Sequence, residues 1–117
     1  MHELPVTKRI LEIVLRHAAA NNAERVVAVN LEIGDLCDME PAWLQQYFDH
    51  LSKGSIAEGA EIRAERKPAS CRCDECKHVF TVRFREVEQL ACPACASTEG
   101  VKMLSGSEYF IRDIAIQ

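Results

Sequence analysis

Four of the six cysteines fall into two CxxC pairs, Cys73/Cys76 and Cys92/Cys95, with fifteen residues between them. That spacing lies in the range of four-thiolate zinc sites. A two-residue gap lets both sulfurs of one turn point at a single centre, and two such turns at the ends of a short hairpin supply four tetrahedral ligands at about 2.3 Å. A zinc ion held this way has no open position with which to activate water, so it is structural rather than catalytic. A redox dithiol would need a thioredoxin-like βαβ setting, and iron–sulfur clusters use other common spacings. Cys71 stands two residues before the first pair and Cys37 lies far away among acidic residues; both read as free thiols.

The opening residues offer a second kind of chemistry. A chain that begins Met1-His2 puts an α-amine, an amide nitrogen and an imidazole within reach of one metal, in fused chelate rings that suit square-planar Ni(II) or Cu(II). Glu3 could add an oxygen. The residues alone leave a solvated surface histidine as the alternative reading, with His17, His50 and His78 as the remaining imidazoles. No Ser/His/Asp or Cys/His arrangement and no glycine-rich phosphate loop is evident, and the chain reads as a non-enzyme.

Those residues need a scaffold. With 117 residues there is room for one small α/β body and a satellite that needs metal because it cannot bury enough apolar surface alone. A net charge of −4 disfavours a nucleic-acid partner, which would call for Lys and Arg to neutralise phosphates. No apolar run approaches membrane-spanning length, and cysteines at zinc spacing without a signal segment point to the reducing cytoplasm.

A first helix is expected over about 6–20, with Val6, Ile10, Ile13, Val14 and His17 on one face. A strand follows from Arg25 to Ile33, with Val27, Val29, Leu31 and Ile33 inward, closed by Gly34-Asp35. Pro41 suits the first position of a second helix, which carries Trp43, Leu44, Tyr47, Phe48 and Leu51 as a core stripe until Gly54 stops it. A strand from Ala60 to Lys67 has Ile62 and Ala64 inward, and Phe80, Val82 and Phe84 alternate as a strand inside the ribbon. The closing run is apolar on both faces, the pattern of a strand docked within a sheet. The fold class is therefore α+β: two helices packed on a small sheet, residues 1–69 and 104–117, with an inserted zinc ribbon at 70–103.

The opening MHEL, the IGDL turn after the first strand, KGSIAEGAEIRAE, the CDEC and CPAC pairs and the ending GSEYFIRDIAI together resemble the HypA/HybF family of hydrogenase nickel-incorporation proteins. The resemblance implies a nickel metallochaperone with structural zinc. It further implies work with a HypB-type GTPase and delivery of nickel to the large subunit of [NiFe]-hydrogenase, by a monomer or weak homodimer. On it, His2 becomes the principal nickel ligand with the Met1 amine and Glu3 beside it, and Cys73, Cys76, Cys92 and Cys95 become the zinc ligands. Urease is a second client served by the family. A zinc-ribbon interaction module without nickel is the competing function.

Overall fold

The architecture is that of a computed structural model, which describes residues 3–117. Its elements run α1 (Glu3–Ala20), β1 (Val26–Gly34), α2 (Pro41–Leu51), β2 (Glu61–Lys67), β3 (Ala69–Cys73), β4 (Val79–Val82), a 3-10 turn (Phe84–Glu86), β5 (Val101–Ser105) and β6 (Tyr109–Ile116). They form two three-stranded sheets, ordered β2-β1-β6 and β4-β3-β5. The chain divides into two compact units. The first gathers residues up to Glu32 with Asp38–Glu65 and Phe110–Gln117; the second gathers Ile33–Cys37 with Arg66–Tyr109. The second unit is thus wider than residues 70–103.

In the first unit β1, α2 and β2 form a strand–helix–strand crossover. The Val26 amide at the start of β1 donates to the Ile56 carbonyl ahead of β2, and the Asp35 amide beyond its end donates to Lys67, so the two strands are parallel. The backbones of Arg25 and Gln117 pair at one end, and the Gly34 amide donates to Glu108 at the other, so β6 runs antiparallel to β1. As the middle strand, β1 is buried along most of its length. Its alternation changes phase where Ala28 and Val29 are both buried, and β6 has a matching break where Arg112 and Asp113 are both exposed. This displaces the expected inward set: Val29, Leu31 and Ile33 are buried, Val27 only half so, and Val26 and Ala28 join the core.

Helix α1 starts three residues earlier than expected, because Pro5 falls in the first turn, where its missing N–H has no helical partner to lose. Its buried stripe is Glu3, Thr7, Ile10, Val14 and Ala18; Val6 and Ile13 are half-buried at its margin, and His17 is exposed. Helix α2 buries Leu44 and Phe48 with Leu51 at its edge, and Gly54 ends it at φ +81°. Trp43 does not join this core. It is 42% exposed and stacks on Tyr47 with ring centroids 5.8 Å apart. One turn of helix separates Trp43 from Tyr47, so both rings share the outer margin of α2, whereas Leu44 and Phe48 look inward. Ile62 and Ala64 of β2 are half-buried against exposed Glu61, Arg63 and Glu65, as alternation predicts.

The closing strand departs from the both-faces-buried expectation. Edge position leaves one side of β6 without a neighbouring strand, and Phe110 is 58% exposed.

Candidate metal centre

The second unit is built on β3. Its register with β4 pairs Cys71 with Phe80 and Arg72 with Val79, and its register with β5 pairs Cys71 with Met103 and Cys73 with Val101 across a bulge at Ser70/Cys71. Ala69, Cys71 and Cys73 lie on one side of this central strand and are fully buried. The strand expected through Phe84 ends at Val82, after which Phe84–Glu86 form a 3-10 turn.

Each CxxC pair sits on the same local turn. The Lys77 amide donates to the Cys73 carbonyl at 2.7 Å and the Cys73 amide to His78 at 2.9 Å; the Ala96 amide donates to Cys92 at 2.8 Å and the Cys92 amide to Ser97 at 2.9 Å. In both turns the residue after the second cysteine, Lys77 or Ala96, has a left-handed backbone with φ of 66° and 65°. The turns bring the four sulfurs within 4.8 Å of one another, with Cys73–Cys95 at 3.6 Å and Cys76–Cys92 at 3.5 Å. A tetrahedron with bonds of about 2.3 Å has edges of about 3.8 Å, so the set fits zinc and leaves no ligand position over. The first cysteine of each pair is buried and the second exposed.

Crowded thiols titrate unequally. Partial desolvation pushes the Cys92 thiol up, but the Cys95 and Ala94 amides and the neighbouring thiols outweigh it and bring it to about 7. At Cys95 the Ser97 amide pulls down, while desolvation and the other three thiols push harder, up to about 12. Zinc must therefore displace protons as it binds. Cys71 is fully buried in β3, and burial raises its thiol above the ordinary value.

Among the described residues these four cysteines are the only cluster able to hold a metal. Met1 and His2, the expected nickel-binding pair, lie outside the described residues. Glu3 opens α1 and is only 3% exposed, with its Oε2 accepting the Glu40 amide at 3.3 Å. That contact brings a second acidic residue, the N-cap of α2, next to Glu3 across 37 positions. Sequence reading missed it; an acidic residue directly before a helix-initiating proline was the available signal. His17 and His50 stand exposed on the two helices, and His78 stacks on Phe80 with centroids 5.9 Å apart.

The IGDL turn also has a structural use. Asp35 is buried and its carboxylate accepts the Phe84 amide, while Arg66 donates to the Gly34 and Cys37 carbonyls. A Cβ on Gly34 would stand 2.2 Å from the Gly106 carbonyl oxygen, so only glycine fits.

Residues 1–116 match the family model described as hydrogenase/urease nickel incorporation, metallochaperone, HypA. The chain belongs to the HypA family. Curated HypA-family relatives, each called hydrogenase maturation factor HypA, match along the full length. The Geobacter sulfurreducens protein is 32% identical, with all of both chains covered. The Chlorobium limicola protein is 36% identical, over 100% of this chain and 97% of its own. The Salmonella typhimurium protein is 34% identical, over 99% and 96%. The fold is shared with two solution structures. The Ni metallochaperone HypA from Helicobacter pylori has a TM-score of 0.65 at 21% identity, covering 99% of this chain and 97% of its own. A second HypA protein has a TM-score of 0.71 at 22% identity, over 100% and 97%. Membership makes the four-sulfur centre part of a nickel-incorporation factor for hydrogenase maturation. No helix among the described residues is long and apolar enough to cross a membrane.

Proposed function

We propose that this chain carries Ni(II) as cargo on its N-terminal segment and delivers it to the large subunit of [NiFe]-hydrogenase in the cytoplasm, in concert with a HypB-type GTPase. With Met1 as first residue, its amine and the His2 amide nitrogen and imidazole form the chelate, and Glu3 joins that segment to the α/β body. Residues 1–69 and 104–117 act as the nickel-carrying body. Residues 70–103 act as the zinc ribbon, in which Cys73, Cys76, Cys92 and Cys95 hold the metal as a structural element. The observation that carries the reading is the full-length family match, joined to a first dipeptide whose donor set suits nickel.

Transfer is the direct test. Nickel-loaded wild type incubated with a metal-free hydrogenase large-subunit precursor and the GTPase should restore nickel content in the precursor, and His2→Ala protein should not. The family description also names urease. A parallel incubation with urease apoprotein identifies the client; filling of urease alone would redirect the proposal.

A further inference from the structure

The four-sulfur centre is open to water on one side. Cys73 and Cys92 are buried, at 0% and 2% exposed, whereas Cys76 and Cys95 are exposed, as are all the residues at 75–79 and 93–96 around them. The close sulfur contacts join these unlike partners across the two turns. Exposed Cys76 stands 3.5 Å from buried Cys92, and exposed Cys95 stands 3.6 Å from buried Cys73. A cysteine that ligates zinc is held as the thiolate, the form of sulfur that peroxides oxidise. Each turn therefore presents a reactive sulfur to solvent and holds against it, from the other turn, a second sulfur that can displace whatever forms there. Cys71 and Cys37 have no such access: both are buried, Cys71 completely.

We propose that Cys76 and Cys95 are oxidation sites, at which hydrogen peroxide converts the zinc centre into two disulfides that cross between the turns, Cys76–Cys92 and Cys73–Cys95. In the first step the Cys76 or Cys95 thiolate attacks one peroxide oxygen and becomes a sulfenic acid, while the O–O bond breaks and the other oxygen leaves as hydroxide. The buried thiolate opposite then attacks the sulfenic sulfur; the S–S bond forms and the sulfenic oxygen leaves as a second hydroxide. Each disulfide thus takes two electrons from two thiolates and reduces one peroxide to water, the hydroxides taking protons from solvent. A disulfide is no longer an anionic ligand, so the first leaves zinc with two of its four sulfurs and the second sets it free. The new bonds fasten the same two turns that the metal fastens, so the sulfurs stay together and reduction restores the site. The proposal rests on zinc ligation by these four cysteines and is independent of where nickel binds.

Zinc-loaded full-length protein treated with hydrogen peroxide tests this, with released zinc read by a chromogenic chelator and the cysteines read by peptide mass spectrometry. A 1,3-dione present during the reaction, which caps sulfenic acids as they form, should label Cys76 and Cys95 and leave Cys37, Cys71, Cys73 and Cys92 unlabelled. Without the dione, zinc should leave in step with the appearance of the Cys76–Cys92 and Cys73–Cys95 disulfides. A dithiol reductant with added zinc should then return the protein to its starting zinc content. Zinc and all four thiols retained under excess peroxide overturn the inference. So do disulfides formed within a CxxC pair, and so does first labelling at any of the four buried cysteines. A protein that takes up no zinc overturns the ligation reading and this inference together, whereas the other outcomes leave the ligation standing.

Discussion

At the scale of single residues, burial separates side chains that one hydrophobic stripe had grouped together. Phe48 is fully buried beneath α2, and Phe48→Ala should destabilise the first unit by about 3–5 kcal/mol, the usual loss for a buried aromatic. Trp43, four-tenths exposed and stacked only on Tyr47 among ring partners, should cost under about 1.5 kcal/mol when cut to alanine, near the value of an aromatic pair. Urea denaturation of the two variants checks the contrast, and equal losses would return Trp43 to the core. The stripe was legible as helical periodicity, but which residues of an eleven-residue helix face the sheet depends on how α1 lies against it, and that is set by tertiary packing. Glycines were legible only as turn signals. Gly34→Ala would drive a Cβ into the Gly106 backbone, so it should lower the melting temperature sharply, whereas Ala96→Gly, at φ 65°, should be neutral or stabilising.

At the scale of elements, the two cysteine turns behave as a repeated device with one hydrogen-bond pattern. The CxxC spacing was readable because zinc geometry imposes it. The matching left-handed residues were not, since neither Lys77 nor Ala96 carries a glycine signature. Cys76→Ala should lose zinc and unfold residues from about 70 to 103, with the helical circular dichroism of α1 and α2 retained, because structural zinc supplies folding free energy directly, on the order of 10 kcal/mol. Zinc uptake should also depend on pH in a stated direction. In the metal-free turns the Cys92 thiol is brought down to about 7 and the Cys95 thiol pushed up to about 12, so at neutral pH Cys95 still holds a proton that zinc must expel. Affinity should rise with pH, and the protons released per zinc should fall by about one as pH climbs through about 7. Calorimetry in buffers of different ionisation enthalpy reads that number directly. The final strand shows the opposite limit of sequence reading. Its apolar composition announced a docked strand, yet order β2-β1-β6 puts it at an edge, and an edge strand's second side is invisible to local pattern.

At the scale of the whole molecule, two units of different physical character share one chain: an α/β unit with a continuous apolar core, and a ribbon whose centre is four sulfurs. Length and cysteine spacing lead to the expectation of a helical body and a metal-dependent satellite. What escaped was the share taken by the Gly34–Cys37 turn, whose Asp35 and backbone groups bond to Phe84, Lys67 and Gly106 in the second unit, because side-chain-to-backbone contacts across some fifty residues leave no periodic trace. The pairing of Glu3 with Glu40 is of the same kind. The proposed cargo chemistry, by contrast, rests on two letters, since with Met1 as first residue the amine, amide and imidazole nitrogens follow from Met-His. The measurement that bears most directly on the account is calorimetric Ni(II) titration of three zinc-loaded proteins: wild type beginning at Met1, His2→Ala, and a form whose α-amine is buried in a peptide bond by an N-terminal extension. The account predicts stoichiometric binding by the first, abolished by the second and weakened in the third, with zinc content unchanged throughout; equal nickel binding by all three would contradict it and move the cargo site away from the N-terminus.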